Sequence, residues 1–287
     1  MGTVINSRIR AIFRFGGVIA ILAFLLQSAG DHRNPVVEDR ALTGSFATQL
    51  GEHRRENLPD GTAVLLNTNT FVRYAFDQHG RHVELVSGEA AFLQVPKDAG
   101  RPFDVRSGGV VVRDIGTSFD VYRKRASTLV TVIEGRVKVA GTAPLGSGSD
   151  AGDAESAWKS APVYQRLQQI EFDEATQTLH ERRSLTEQRL SQLLSWQRGR
   201  LDLNRMTLEQ ALAEFSRYQP IDTFRYQDPS LRSIRMGGEL GATNLMDFLD
   251  SLEHVFNIHH IVTKGSDGKT LVTFSGPRNI GDRSKGK

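Results

Sequence analysis

The sequence predicts a mainly β exported domain, then a small α+β module of strand-helix-strand repeats, with one N-terminal transmembrane helix. Three features carry this expectation. An apolar run follows a group of arginines at the start of the chain. Short β-branched runs punctuated by Gly, Pro, Asp and Asn fill the span from Thr43 to Gly141. A helical spacing of apolar residues then recurs near the C-terminus.

In the first segment, "RIRAIFRFGGVIAILAFLLQSAG" sets Arg8, Arg10 and Arg14 before an uncharged run from Phe15 to Gly30, which Asp31 closes. A bilayer core asks for about 20 apolar residues in a helix. Residues 11–30 reach that length if Arg14 snorkels to the headgroups, leaving residues 1–10 as a short cytoplasmic tail. Ser28-Ala29-Gly30 also offers small residues to a signal peptidase, so the segment reads as an anchor or as a cleaved signal. Either reading exports everything after Asp31.

Residues 43–180 form the β domain. The runs "TAVLLN", "RHVELV", "AAFLQV", "PFDVRS", "GVVVRD", "SFDVYR", "LVTVIEG" and "RVKVA" each have strand length and composition. Leu58 to Asn67 predicts a hairpin corner, with Asp60 and Gly61 setting the turn and Val64 and Leu66 burying on one face. Val130-Thr131-Val132 and Val137-Lys138-Val139 flank Glu134-Gly135, which predicts a second hairpin with Gly135 at a positive backbone angle. Residues 142–157 are small and polar without periodicity, a flexible insert. "VYQRLQQIEF" beyond it predicts a further strand pair.

Residues 181–198 predict a connecting helix, opened by Ser184 with Glu187 three residues on as a capping box. The module at 199–275 carries a weak repeat: a shift of roughly 37 residues aligns Leu208 with Leu245, Ala211 with Phe248, Leu212 with Leu249 and Phe215 with Leu252. Thr207 with Gln210 caps the first helix and Asn244 caps the second. Strands are expected at Arg200 to Leu203, Ile221 to Tyr226, Ser233 to Leu240, Ile258 to Thr263 and Thr270 to Phe274, with two units packed on one sheet. Residues 276–287 are a tail.

Composition narrows the chemistry. The 287 residues suffice for two modest domains, and the absence of cysteine excludes disulfides, thiolate metal sites and cysteine nucleophiles. The net charge of +3 comes from separated groups at Arg8/Arg10/Arg14, Arg54/Arg55, Arg123/Lys124/Arg125 and Arg182/Arg183. These make no continuous basic stripe, so they read as solvated surface and no nucleic-acid partner is expected. No G-x-S-x-G elbow, H-E-x-x-H, phosphate loop or dinucleotide fingerprint occurs. His259 and His260 are neighbours on a strand and face opposite sides, which disfavours joint metal binding. Asp60 and Glu89 are read as a turn aspartate and a strand-end glutamate. No enzyme activity, cofactor or metal is expected.

Several ordered motifs carry a family resemblance. Leu58-Pro59-Asp60-Gly61-Thr62 with Leu66-Asn67, Gly88-Glu89-Ala90, Arg101-Pro102-Phe103, Gly116-Thr117 and Glu134-Gly135 resemble the exported domain of the FecR family of transmembrane sensors. The resemblance spans about a third of the chain, and several motifs in order are more specific than any one of them. The later "WQRGRLDLNRMTLEQALAEFSRYQPI" through "MGGEL" is similar to the secretin and TonB short N-terminal module found in the family's C-terminal half.

The resemblance implies a single-pass inner-membrane protein whose periplasmic part senses a TonB-dependent outer-membrane receptor and bears on an extracytoplasmic-function sigma factor. It makes Pro59, Asp60, Gly61, Gly88, Glu89, Gly116, Thr117 and Gly135 structural motif residues. The family's cytoplasmic anti-sigma domain has no counterpart in residues 1–10, so a sigma factor is expected only as an indirect partner. The alternative is an exported envelope scaffold or adaptor without sigma-factor output. For docking, Phe224, Tyr226, Ile234 and Met236 are candidates for receptor binding on the open face or edge of the module's sheet, with burial in its core as the competing role.

Overall fold

The computed structural model describes residues 41–141, 158–181, 184–221, 223–265 and 270–276. The anchor or signal at 11–30, the insert at 142–157 and the tail beyond Gly276 lie outside the described residues. Among those described, no helix is long and apolar enough to cross a membrane.

Strands dominate the first part of the chain: β1 (Leu42–Ala47), β2 (Arg54–Asn57), β3 (Ala63–Leu66), β4 (Phe71–Phe76), β5 (Arg81–Leu93), β6 (Phe103–Ser107), β7 (Val110–Asp114), β8 (Ser118–Arg123), β9 (Ser127–Glu134), β10 (Arg136–Gly141), β11 (Val163–Gln165), β12 (Gln169–Asp173) and β13 (Thr178–Glu181). All belong to one branched sheet. β5 is the reason it branches. Its first half pairs with β4 and, in parallel, with β6, whereas its second half pairs with β3 and β8. One layer therefore runs β1-β4-β5-β6-β7-β10-β11 and the other β2-β3-β5-β8-β9-β12-β13. Both layers turn their apolar alternate residues into one core, with Val64, Phe92, Phe119 and Val132 from one and Val72, Val105, Val112 and Val139 from the other. The two runs "RHVELV" and "AAFLQV" are thus one strand of 13 residues.

Gly88 lies where β5 passes between layers. It holds φ +84, and a Cβ there would fall 2.6 Å from the Thr70 Cα, so both the angle and the close approach require glycine.

Gly135 does have positive φ, at +75, but the hairpin expected around it is not formed. β9 pairs with β8 and β12, and β10 with β7 and β11, so the chain at Gly135 crosses from one layer to the other. A local alternation of apolar residues cannot distinguish a hairpin from such a crossing, because both begin with two strands and a tight turn. The strand pair expected in "VYQRLQQIEF" is corrected for the same reason: β11 pairs with β10, while β12 pairs with β9 and β13.

The connection starts two residues later than expected. Thr186, not Ser184, caps α1 (Glu187–Leu193) by accepting from the Arg189 amide, and a 3-10 turn at Ser195–Arg198 follows, closed by Gly199 at φ 68.

The module contains β14 (Arg200–Asp202), α2 (Leu208–Phe215), β15 (Thr223–Tyr226), β16 (Glu239–Gly241), α3 (Leu245–Phe256), β17 (His259–Lys264) and β18 (Thr270–Ser275). Thr207 and Gln210 form a reciprocal capping box at α2. Asn244 precedes α3 but makes no side-chain cap bond. Both apolar stripes are buried, and Phe215 and Phe248 stack at 4.9 Å. The single sheet expected here is two: β14 pairs with β16, and β15 and β17 flank β18. The repeat survives in this pairing, since the first strands of both units meet each other and the second strands meet a common third. Ser233 to Leu240 is mostly not a strand. Pro229 starts a 3-10 turn capped by the Asp228 side chain, which uses the backbone up to Ser233.

Candidate functional site

Two arginines, one buried and one half-buried, organise the polar groups of the chain. Arg81, at the start of β5, is 2% exposed and donates from Nη1 to Asp60 Oδ2 at 2.6 Å and to the Pro96 carbonyl at 3.0 Å. Its Nε donates to the Arg101 carbonyl at 3.0 Å, and the guanidinium lies 5.3 Å from the Phe103 ring centroid. Asp60 also accepts from the Thr62 amide at 2.9 Å. The Pro59-Asp60-Gly61 corner, with Gly61 at φ +88, is thereby fastened to the Arg101-Pro102-Phe103 segment. Gly116-Thr117 is a second corner: Asp114 accepts from the Gly116 amide and from the Thr117 hydroxyl, and burial raises the Asp114 pKa. A Cβ on Gly135 would sit 2.6 Å from the Gly116 carbonyl, so the two layer crossings are packed together.

The other arginine joins the β domain to the module. Arg217 follows the C-cap of α2 and pairs through Nη2 with Glu89 Oε2 and through Nη1 with Glu214 Oε2. Its guanidinium lies 4.2 Å from the Tyr122 ring centroid. Glu89 Oε2 also accepts from Asn67 Nδ2 at 2.6 Å, and Asn67 Oδ1 accepts from the Tyr218 hydroxyl at 3.0 Å. Thr68 adds a hydroxyl bond to the Arg217 carbonyl at 3.2 Å. The motif residues Asn67 and Glu89 thus hold the module in place.

Asp120, on β8, completes the junction. Burial first, and then the neighbouring Glu89 with which it shares a side-chain hydrogen bond, push its pKa well above the usual carboxylate value. Asp120 Oδ1 and Trp196 Nε1 are buried without a protein partner, and both residues line a cavity of about 130 Å³ with Glu89, Arg217 and Tyr218. The carboxyl neighbour of Glu89 is therefore Asp120, with which sequence reasoning did not pair it. Asp60 is engaged elsewhere, with Arg81. Arg217, Tyr218 and Asp120 gave no signal in the sequence, because each gains its role from partners more than 25 residues away.

The expected docking residues sit in and against the module core. Met236 is 5% exposed and belongs to that core, so it offers no docking surface. Phe224, Tyr226 and Ile234 are half-buried against the same core, with Tyr226 stacked on Phe274 at 5.5 Å. Alternate residues of a short strand must bury, and on β15 these are Phe224 and Tyr226.

Exposed apolar side chains lie on β17. Among the described residues this strand pairs only with β18, and Ile261 is 63% exposed beside the half-exposed Val262. Val262 and Met246 line an open groove of about 420 Å³ with Ile221 and Val272, while Val255 and Phe256 are exposed at the end of α3. His259 bonds to Glu253 at 2.8 Å, and no group of three metal-ligating side chains occurs among the described residues.

Residues 45–138 match the model of the FecR family, described as FecR protein. Two crystal structures of a candidate anti-sigma factor from Parabacteroides distasonis ATCC 8503 share the fold, each 24% identical and covering 81% of this chain and 99% of that chain, with TM-scores of 0.57 and 0.58. Among curated proteins none matches. Residues 45–138 are thus similar to the FecR family, and the wider likeness to the solved structures is one of fold.

Proposed function

We propose that this FecR-family chain is a single-pass inner-membrane sensor whose exported part binds the signalling domain of a TonB-dependent receptor and bears indirectly on an extracytoplasmic-function sigma factor. The FecR match over 45–138 carries the regulatory reading. It acts by binding, not catalysis. The arginines before the apolar run support the membrane topology.

The module supplies the docking surface. β17 presents an unpaired strand edge among the described strands, flanked by exposed apolar side chains, and a partner strand added there gains main-chain hydrogen bonds and side-chain contacts together. Co-purification of the full chain with a receptor signalling domain tests this. Ile261→Glu and Val262→Pro are expected to weaken capture at least about tenfold, since proline removes a ladder donor and glutamate a buried apolar contact. Capture equal to that of the unsubstituted chain would move the interface elsewhere. A reporter active only in the periplasm, fused after Lys287, is expected to be active; activity of a cytoplasm-only reporter there would overturn the topology.

A further inference from the structure

The β8–β9 turn carries Arg123, Lys124 and Arg125 in succession, closed by a bond from the Lys124 amide to the Ser127 carbonyl at 2.8 Å. Across from it stand Ser87 and Gly88 of β5 and the Thr68-Asn69 turn. Together with Tyr122 and Arg217 these residues line an open groove of about 360 Å³. Four cations line it and no carboxylate does. Arg217 already faces Glu89 and Glu214, and Lys124 lies 5.4 Å from the Tyr122 ring centroid. Among the described residues, half-buried Arg123 and exposed Arg125 make no ion pair.

We propose that this groove binds the carboxylates of an acidic protein segment. Like charges set side by side repel unless an anion enters between them, and guanidinium groups match the planar carboxylate with paired donors. Asn69 and Ser87 add exposed neutral donors on the opposite wall. The groove is concave and admits one or two side chains, a shape suited to an inserted peptide and not to a flat bilayer. Because its lining is drawn from both the β domain and the module, a bound segment would contact both. The site is separate from the β17 edge and does not depend on the identity of the receptor.

Fluorescence anisotropy of a labelled hexaglutamate peptide titrated with the full chain tests the proposal. Arg123→Glu with Arg125→Glu is expected to weaken binding at least about tenfold, while the same charge change at Arg55→Glu with Arg136→Glu, outside the groove, changes it less than about twofold. Arg125→Ala alone, at an exposed position, is expected to weaken binding about threefold with unchanged thermal unfolding. Equal weakening by the two charge-reversed pairs, or no binding to the unsubstituted chain, would overturn the proposal. Displacement of the peptide by inorganic phosphate at equal concentration, or groove-dependent binding to phosphatidylglycerol vesicles without peptide binding, would overturn the assignment to a protein segment.

Discussion

Arg81, fully buried, and Arg217, half-buried, each pair with a buried carboxylate, yet their surroundings differ. Around Arg81 the partners are one aspartate and two main-chain carbonyls, all from the β domain. Around Arg217 two glutamates, two tyrosines and an asparagine come from both sides of a junction, with a second buried carboxyl and a cavity beside them. The first arrangement is a staple that closes one fold. The second ties two folds together beside a buried carboxyl, Asp120, whose pKa burial and the nearby Glu89 raise.

The largest effect should come from breaking the staple. Asp60→Ala leaves the Arg81 charge buried without its carboxylate and is expected to destabilise the β domain by about 3–5 kcal/mol, measured by urea unfolding. Loss below about 1 kcal/mol would show that the main-chain carbonyls alone suffice for Arg81.

Glu89→Gln at the junction should cost less, about 2–3 kcal/mol, because an amide still bonds to Asn67 and Arg217 but without charge assistance. Hydrogen exchange should speed up at the end of α2 while the β-domain core stays protected. Uniform loss of protection would erase the distinction between the two arginines.

Asp120→Asn sharpens the comparison through pH. The Asp120 pKa is raised in the folded state above its ordinary 3.8, so between that value and the folded value the native chain holds a proton that the unfolded chain has released. Its contribution is therefore full at low pH and is lost as pH rises through the folded value. Asparagine mimics the protonated group, so the variant should be more stable at neutral pH by on the order of 1 kcal/mol and lose that part of the pH dependence. A variant with the same slope as the parent would assign the slope to other groups.

Ile261→Glu should have the smallest effect on stability, within about 0.5 kcal/mol, because the side chain is largely exposed. A fall in thermal unfolding temperature beyond that would show that the β17 edge is covered within the chain.

The hairpin corner at residues 58–67 was legible because a Pro-Asp-Gly turn and the alternation of Val64 and Leu66 are local signals. The helix stripes of the module were legible by their spacing. The exchange of partners at Gly135 was not, because pairing between β9 and β12 or between β10 and β7 is decided by residues far apart in the chain. The burial of Met236 was not legible for a related reason: alternation shows that one strand face buries, but which face, and which strand remains at an edge, depend on the sheet order.

The sequence by itself determined the strand-rich domain, the Thr207–Gln210 capping box, the positive φ of Gly135 and the motifs that resemble the FecR family, since these depend on backbone sterics and on residues within one turn or strand. The tertiary structure alone decided that Glu89 meets Arg217 and Asp120, that Met236 is core and that β17 is open. Burial and desolvation act on whatever groups the folded chain brings together, and no local pattern records the identity of a partner 128 residues away.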